Sequence, residues 1–334
     1  MRSNLKQTKT NNLPVSVVIP MRNAATTVVE ALKTISMQEY PIREIIVVDN
    51  VSKDNSRDLV NNFAKKSRIP VKLLVQKKDK GVASSYNWGT KEAKSELVIF
   101  MTSDCALPTR YELGKLVEPL LNDTNAVATF STSVLPRFVW DKYNFWEKLF
   151  AARMVDNKSS MMVLKFDAIR KSAFFDAGAF DEINFGGDSA IGGEDADLNA
   201  RLKKLGKIVR TPANSLHLHY MSSDYTLQNM LKSRKMYARS NGRYFRKSFW
   251  ANPVGTATFL IRPAIAILPF IPPFSLIGIA GLILYSLLYT KTMFMTPVPL
   301  FDTRIFLVPF INIFVLYYEL FWILESAVTY KKNQ

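Results

Sequence analysis

Short apolar runs alternate with helical periodicity through the first hundred residues. Val15–Ile19 is an apolar run closed by Pro20, the pattern of a buried strand. Residues 26–37 repeat apolar positions at helical spacing (Val28, Val29, Leu32, Ile35), and Pro41 marks a break. A second run over Glu44–Val48 ends at Asp49-Asn50; a helical stretch over 54–66 follows. Val71–Val75 predicts a third strand, 84–94 a third helix, and Glu96–Met101 a fourth strand ending at Thr102-Ser103-Asp104. Strands of this length alternating with helices predict βαβ units and a mostly parallel, Rossmann-like α/β sheet flanked by helices. In such sheets ligands bind beyond the carboxyl ends of the strands. Arg22-Asn23, Asp49-Asn50 and Ser103-Asp104 stand there.

The pattern over 105–185 is less regular. A glycine-rich loop then runs from Gly186-Gly187 to Gly192-Gly193 and opens into Glu194-Asp195-Ala196-Asp197. A helix carrying Leu198, Leu202 and Leu205 is expected from there, closed by Gly206. A strand-like stretch from Ile208 to Tyr220 holds both histidines, His217 and His219. Residues 232–247 carry seven basic residues and no acid, interleaved with aromatics, as in a helix lying on anionic headgroups. The apolar tail beyond it predicts two spans, about 263–290 and 304–328, with 226–262 interfacial and 1–13 a disordered tail. The soluble domain is placed at 14–225, on the cytoplasmic side by the positive-inside tendency.

Charge sharpens the picture. The 334-residue chain has a formal net charge of +16. Beyond residue 253 the basic residues are Arg262, Lys291, Arg304, Lys331 and Lys332, so the excess lies almost wholly in the first part. Such an excess calls for an anionic partner, and the apolar tail favours a membrane face over nucleic acid. With one cysteine, Cys105, a disulfide framework or cysteine zinc cluster within one chain is excluded. The polar, basic start lacks the apolar stretch of a signal peptide.

The residues taken together resemble glycosyltransferase family 2, whose catalytic domain has the GT-A fold. The resemblance rests on Val17-Val18-Ile19-Pro20-Met21-Arg22-Asn23, on Ile45-Ile46-Val47-Val48-Asp49-Asn50 with Ser52 and Asp54, and on Gly81, Asn87 and Gly89. Its most specific part is Ala177-Gly178-Ala179-Phe180-Asp181-Glu182 followed by Gly193-Glu194-Asp195-Ala196-Asp197-Leu198 and Arg201. It covers roughly residues 14–220. Two positions depart from the family pattern. The metal motif, usually Asp-x-Asp, is Thr102-Ser103-Asp104, and the second acid of the usual Asp-Asp pair is Asn50. The Gln-x-x-Arg-Trp signature of processive synthases is missing after Gln228, so processive synthesis is not expected.

The resemblance implies an inverting transfer of a sugar from a nucleotide sugar, UDP- or GDP-linked, to a membrane lipid-linked hydroxyl. It implies a divalent cation, Mg²⁺ or Mn²⁺, on Asp104 and one of the histidines, His219 ahead of His217. It implies Asp195 as general base, Gly192, Gly193 and Glu194 on the acceptor loop, and Pro20, Asn23, Asp49, Asn50, Gly81, Asn87, Ser103 and Asp104 around the donor. The chemistry agrees: a departing diphosphate needs a cation aimed at it, and a hydroxyl nucleophile needs a proton acceptor within reach. The blander readings are that Asp104 is an ordinary turn acid, that Asp195 caps a helix and that the histidines are structural. On those readings the chain is a non-enzymatic, membrane-tethered nucleotide-sugar binding or scaffold protein.

Overall fold

The computed structural model describes residues 13–151, 161–185, 192–218, 225–248, 253–294 and 302–329. The expected tail therefore lies almost wholly outside the described residues. The chain divides into two compact units. The first holds Met1–Val134, Lys158–Phe180 and Leu198–Leu218; the second holds Leu135–Asn157, Asp181–Asp197 and His219–Gln334.

The first unit is built on an eight-stranded sheet: β1 (Val15–Met21), β2 (Ile42–Asp49), β3 (Val71–Val75), β4 (Leu97–Met101), β5 (Cys105–Ala106), β6 (Ala126–Val134), β7 (Phe166–Arg170) and β8 (Lys207–His217), in the order β3-β2-β1-β4-β7-β6-β8-β5. The first four strands are parallel, with Val17 opposite Ile45 and Ile99, and Val47 opposite Leu73. β1 and β4 are buried along their whole length, as strands covered on both faces must be. The expected parallel arrangement holds in this half. β7 runs antiparallel to β4 and to β6, and β5 antiparallel to β8, so the sheet as a whole is mixed.

Side-chain alternation divides the core into two layers. Val17, Ile19, Ile45, Val47 and Ile99 pack on one face with Val28, Leu32 and Ile35 of the helix Val28–Ser36 and with the helix Glu112–Asn122. Val18, Ile46, Val48, Val98 and Phe100 face the other way, onto the helix Gly81–Glu92 and an aromatic cluster of Tyr86, Phe100, Phe174 and Phe180. That helix sits low on the sheet. A Cβ on Gly89 would collide with Val18 Cγ1 and come within 3.2 Å of Val48 Cγ2. The strand order reverses between β1 and β4. This is the switch point at which the loops leaving the two strands diverge and open a crevice.

The second unit is mostly helical. The basic stretch forms a 22-residue helix, Leu227–Ser248. Pro253–Ile267 and Ser275–Phe294 follow, and Thr303–Val328 forms the last helix, its first turn of 3-10 type. Only this last one, among the described residues, is long and apolar enough to cross a membrane. The expected span over 263–290 is broken in two between Leu268 and Phe274. Pro269, Pro272 and Pro273 there lack the N–H groups a continuous helix needs.

Candidate active site

The switch point gathers three loop ends. Asn23, at the end of β1, holds a left-handed backbone (φ 49°). Its N–H donates to Ser52 Oγ (2.9 Å), and its Oδ1 accepts from the Lys53 N–H (2.8 Å). The next two N–H groups donate to Ser56 Oγ (2.8 Å) and Asp54 Oδ2 (3.0 Å). The loops after β1 and β2 are thus laced together, with Pro20 and Val48 paired just behind them.

Asp49 is fully buried at the end of β2. Its carboxylate accepts from the Ser52 N–H (3.3 and 3.2 Å) and from Arg57 Nε (2.7 Å). Asn50 donates from Nδ2 to Asp79 Oδ1 (2.8 Å) and accepts at Oδ1 from the Lys80 N–H (3.1 Å). Asp79 also accepts from the Gly81 N–H (3.0 Å) and pairs with Arg22. Partial burial works against the Asp79 anion. The hydrogen bonds from Asn50 and Gly81 and the Arg22 charge prevail and hold its carboxyl below the usual range. Asp79 thus brings a carboxylate against the side chain of Asn50. Gly81 turns the chain here with φ 78° and heads the helix behind.

Asn87 is occupied with structure. Its Nδ2 donates to the Phe180 carbonyl (3.0 Å), and its Oδ1 accepts from the Phe180 N–H (2.9 Å). This clamp fixes the Ala177–Phe180 turn, where Gly178 and Ala179 both have positive φ.

Asp104 follows Ser103 in the turn beyond β4. The β5–β8 ladder pairs Cys105 with His217, and the Leu218 N–H donates to the Asp104 carbonyl (2.7 Å). That register brings His217 Nε2 to 2.9 Å from Asp104 Oδ2, across 113 residues of chain. Thr102 Oγ1 donates to the other carboxylate oxygen (2.6 Å), so the position that lacks an acid holds Asp104 in place instead. The β4–β7 register, with Met101 opposite Phe166, adds Lys165. Its Nζ lies 2.9 Å from His217 Nε2 and 3.5 Å from Asp104 Oδ1. All three side chains are about one-quarter exposed. The neighbouring Cys105 thiol is buried and pushed up to about 12 by that burial and by the Asp104 charge, so it stays protonated. His219 lies outside the described residues.

This donor set fits a divalent cation. A carboxylate oxygen and an imidazole nitrogen converge, and a cationic group already stands against both. Oxygen and imidazole together suit Mn²⁺, and Mg²⁺ borrows further oxygens from phosphate. No cluster of three or more potential protein ligands occurs among the described residues.

The acidic motif begins the helix Glu194–Leu202 as expected, its first turn lying in the second unit. Gly193 has φ 99°, and a Cβ there would fall on Ser240 Oγ, so a side chain is excluded twice over. Gly192 faces open space. Asp197 is spent on an ion pair with Lys247 (2.6 Å), which also reaches Asp181 (3.3 Å). Asp195 Oδ1 accepts from the Ala196 N–H (2.7 Å). Glu194 Oε2 is buried and, among the described residues, finds no hydrogen-bond partner. Burial first and the Asp195 charge second push the Glu194 carboxyl up to about 8.

That shift has a sign. Between about pH 4.5 and 8 the folded chain keeps a proton at Glu194 that the unfolded chain has lost, so stability falls as pH rises through this window. Glu194→Gln is expected to raise Tm relative to the parent protein at pH 8.5 and to leave it nearly unchanged at pH 4.5. Thermal denaturation followed by circular dichroism at both values measures this.

Sequence reasoning placed Arg22 at this end of the sheet but missed Lys165, Asp79 and Arg57. Lys165 carries no local signal, and Asp79 is hidden between lysines. The latter, Lys77, Lys78 and Lys80, are exposed.

A parallel β3-β2-β1-β4 half-sheet, an antiparallel companion and an aspartate–histidine pair beside the switch point define the GT-A class of glycosyltransferase folds. The chain belongs to glycosyltransferase family 2: the sequence profile described as "Glycosyl transferase family 2" matches residues 16–182. It is 26% identical over 267 residues to the probable glycosyltransferase YdaM of Bacillus subtilis, covering 73% of this chain and 56% of that one. It is 36% identical over 90 residues to WfgD of Escherichia coli, a UDP-Glc:alpha-D-GlcNAc-diphosphoundecaprenol beta-1,3-glucosyltransferase, covering 27% of this chain and 34% of that one. The chain thus spans about half or less of the length of these curated relatives. The mannosyltransferase PcManGT of Pyrobaculum calidifontis, solved with GDP-Man and Mn²⁺, superposes with a TM-score of 0.58 at 18% identity, covering 93% of this chain and 87% of that one. The chain has the GT-A fold.

Proposed function

We propose that this protein is a membrane-associated, inverting glycosyltransferase that moves one sugar from a nucleoside diphosphate sugar to the hydroxyl of a lipid-linked acceptor, with a divalent cation at Asp104 and His217. The observation that carries the reading is the 2.9 Å approach of Asp104 and His217 beside the switch point. Mn²⁺ in the PcManGT structure and the diphosphoundecaprenol-linked substrate in the WfgD name support it.

The donor's nucleoside end belongs at the laced loops, near Asn23, Asp49, Asn50 and the charge of Asp79. A bound divalent cation would offset the negative charge that gathers on the leaving diphosphate. Lys165, already facing Asp104 and His217, adds fixed positive charge at the same place. The acceptor oxygen attacks the anomeric carbon from the side opposite the diphosphate. The new C–O bond forms as the anomeric C–O bond breaks, the bonding pair leaves with the nucleoside diphosphate, and the configuration inverts. Asp195 takes the hydroxyl proton. Glu194 keeps its own proton at neutral pH and so leaves that task to its neighbour. A phosphate monoester, with a second pKa of about 6, would need no such base, which favours a hydroxyl acceptor.

The test incubates the full chain, in vesicles, with Mn²⁺, a panel of UDP- and GDP-sugars and a polyprenyl-diphosphate-linked sugar. One nucleoside diphosphate released per glycolipid formed, with the product of inverted configuration, is the expected result. Binding of a donor without turnover across the whole panel would favour the non-enzymatic reading instead.

A further inference from the structure

The last helix is long enough to cross a bilayer, but several of its residues are fastened to neighbouring helices. Glu319 meets Arg234 (3.5 Å) and Arg262 (3.2 Å); Glu325 meets Arg239 through two hydrogen bonds (3.0 and 3.3 Å). Lys235 stands 3.5 Å above the Trp322 ring, and Gly242 packs so closely on Ile323 and Ser326 that a Cβ there would collide with both. Residues 234–242 therefore run alongside 319–326. The start of the same helix is held too, with Arg304 4.6 Å above the Phe145 ring. Phe145 belongs to the short helix Phe145–Ala151, whose Phe150 stacks on Tyr237 and lies beneath Arg234. Both ends of the last helix are thus fastened to the basic helix Leu227–Ser248 or to its immediate neighbour.

Were the last helix to cross, it would draw this basic helix into the hydrocarbon. Lys232, Arg234, Lys235, Arg239, Arg243, Arg246 and Lys247 would enter with no acid of their own helix beside them. The uncharged stretch Ile305–Tyr318 measures only about 21 Å at the helical rise, short of a hydrocarbon core of about 30 Å. The two faces of the helix tell the same story. Asn312, Leu316, Glu319, Ile323 and Ser326 are buried, whereas Phe310, Phe314, Phe321, Leu324 and Val328 are exposed along the opposite side for its whole length. Leu276 and Ile277 on the neighbouring helix are exposed as well.

We infer that the second unit lies in one leaflet of an anionic bilayer, with the helix Thr303–Val328 parallel to the membrane plane, and does not cross it. This replaces the two spans expected from the sequence. It rests on the membrane association proposed above. The apolar side faces the acyl chains, while the exposed Lys232 and Arg246 supply the charge that an anionic headgroup layer complements.

Cys105 is buried, so single cysteines introduced at exposed positions can be labelled alone. Phe310→Cys, Phe314→Cys, Phe321→Cys and Val328→Cys, all at exposed positions, each carry an environment-sensitive fluorophore on the full chain. They are mixed with phosphatidylcholine–phosphatidylglycerol vesicles bearing nitroxide quenchers at graded acyl depths. The inference expects all four probes at one shallow depth, about 5–10 Å below the headgroup boundary. A depth that changes steadily along the helix, with the Val328→Cys probe emerging at the far surface, overturns it and leaves membrane association standing. Failure to float with the vesicles overturns both. A stable dimer whose probes escape lipid quenching assigns the face to a second copy of the chain and overturns the inference as well.

Discussion

Replacing Asp104 by Asn is expected to lower kcat by about three orders of magnitude and to abolish the dependence of the rate on Mn²⁺ concentration. The size follows from the proposed role: charge stabilisation at a leaving group is worth roughly 10²- to 10³-fold for a single donor, and one side chain would here both position the ion and anchor His217. The Asn side chain has the same shape and still accepts the Thr102 hydroxyl proton, so the fold survives. What disappears is the negative charge facing Lys165 and the imidazole. Mn²⁺ titration by electron paramagnetic resonance separates loss of the ion from loss of the sugar nucleotide. Unchanged Mn²⁺ affinity in the variant would place the ion elsewhere and remove the basis of the proposed site.

Asp195→Asn is expected to behave differently. Removing a general base costs about 10²- to 10⁴-fold. The loss falls on kcat, while Mn²⁺ and donor affinity stay close to the parent values, because Asp195 is assigned to the acceptor's proton alone. Raising pH does not restore the rate, since no ionisable group remains at that position. Steady-state kinetics with the lipid-linked acceptor, paired with calorimetric titration of the donor, checks both halves. A variant that turns over normally would shift the assignment to Glu194, whose protonated carboxyl would then need pH above about 8 to act.

The parallel half of the sheet was legible because its strands are continuous apolar runs between amphipathic helices. Val15–Ile19, Val71–Val75 and Glu96–Met101 were each placed within two residues of the observed strands. The other half was not. β6 mixes serine and threonine with its apolar positions, and β7 carries Asp167 as its second residue. That carboxylate is fully buried, accepting from the N–H groups of Ser131, Val163 and Leu164. A buried carboxyl group satisfied by backbone N–H groups, two of them only three and four residues before it, looks, in one dimension, like a loop. The site divides in the same way. Asp104, His217 and the Glu194–Asp195 pair follow from motif order and spacing. Lys165 and Asp79 reach their partners only through strand register and loop packing. In the tail, counting apolar residues marked 304–328 as a span, where the helix Thr303–Val328 lies, but could not show that its two glutamates are committed to arginines.

Those arginines wait for their counter-ions during synthesis. Arg234 precedes Glu319 by 85 residues, and Arg239 precedes Glu325 by 86. At about 5–20 residues per second, the ribosome takes roughly 4–17 s to deliver the matching carboxylates. Throughout that interval Arg234 and Arg239 lack the carboxylates they meet in the folded chain, although Lys247 can already pair with Asp181 and Asp197, and an anionic lipid surface would complement them. If the second unit docks on a bilayer as inferred above, the order of the chain favours docking of the growing polypeptide before its last helix exists.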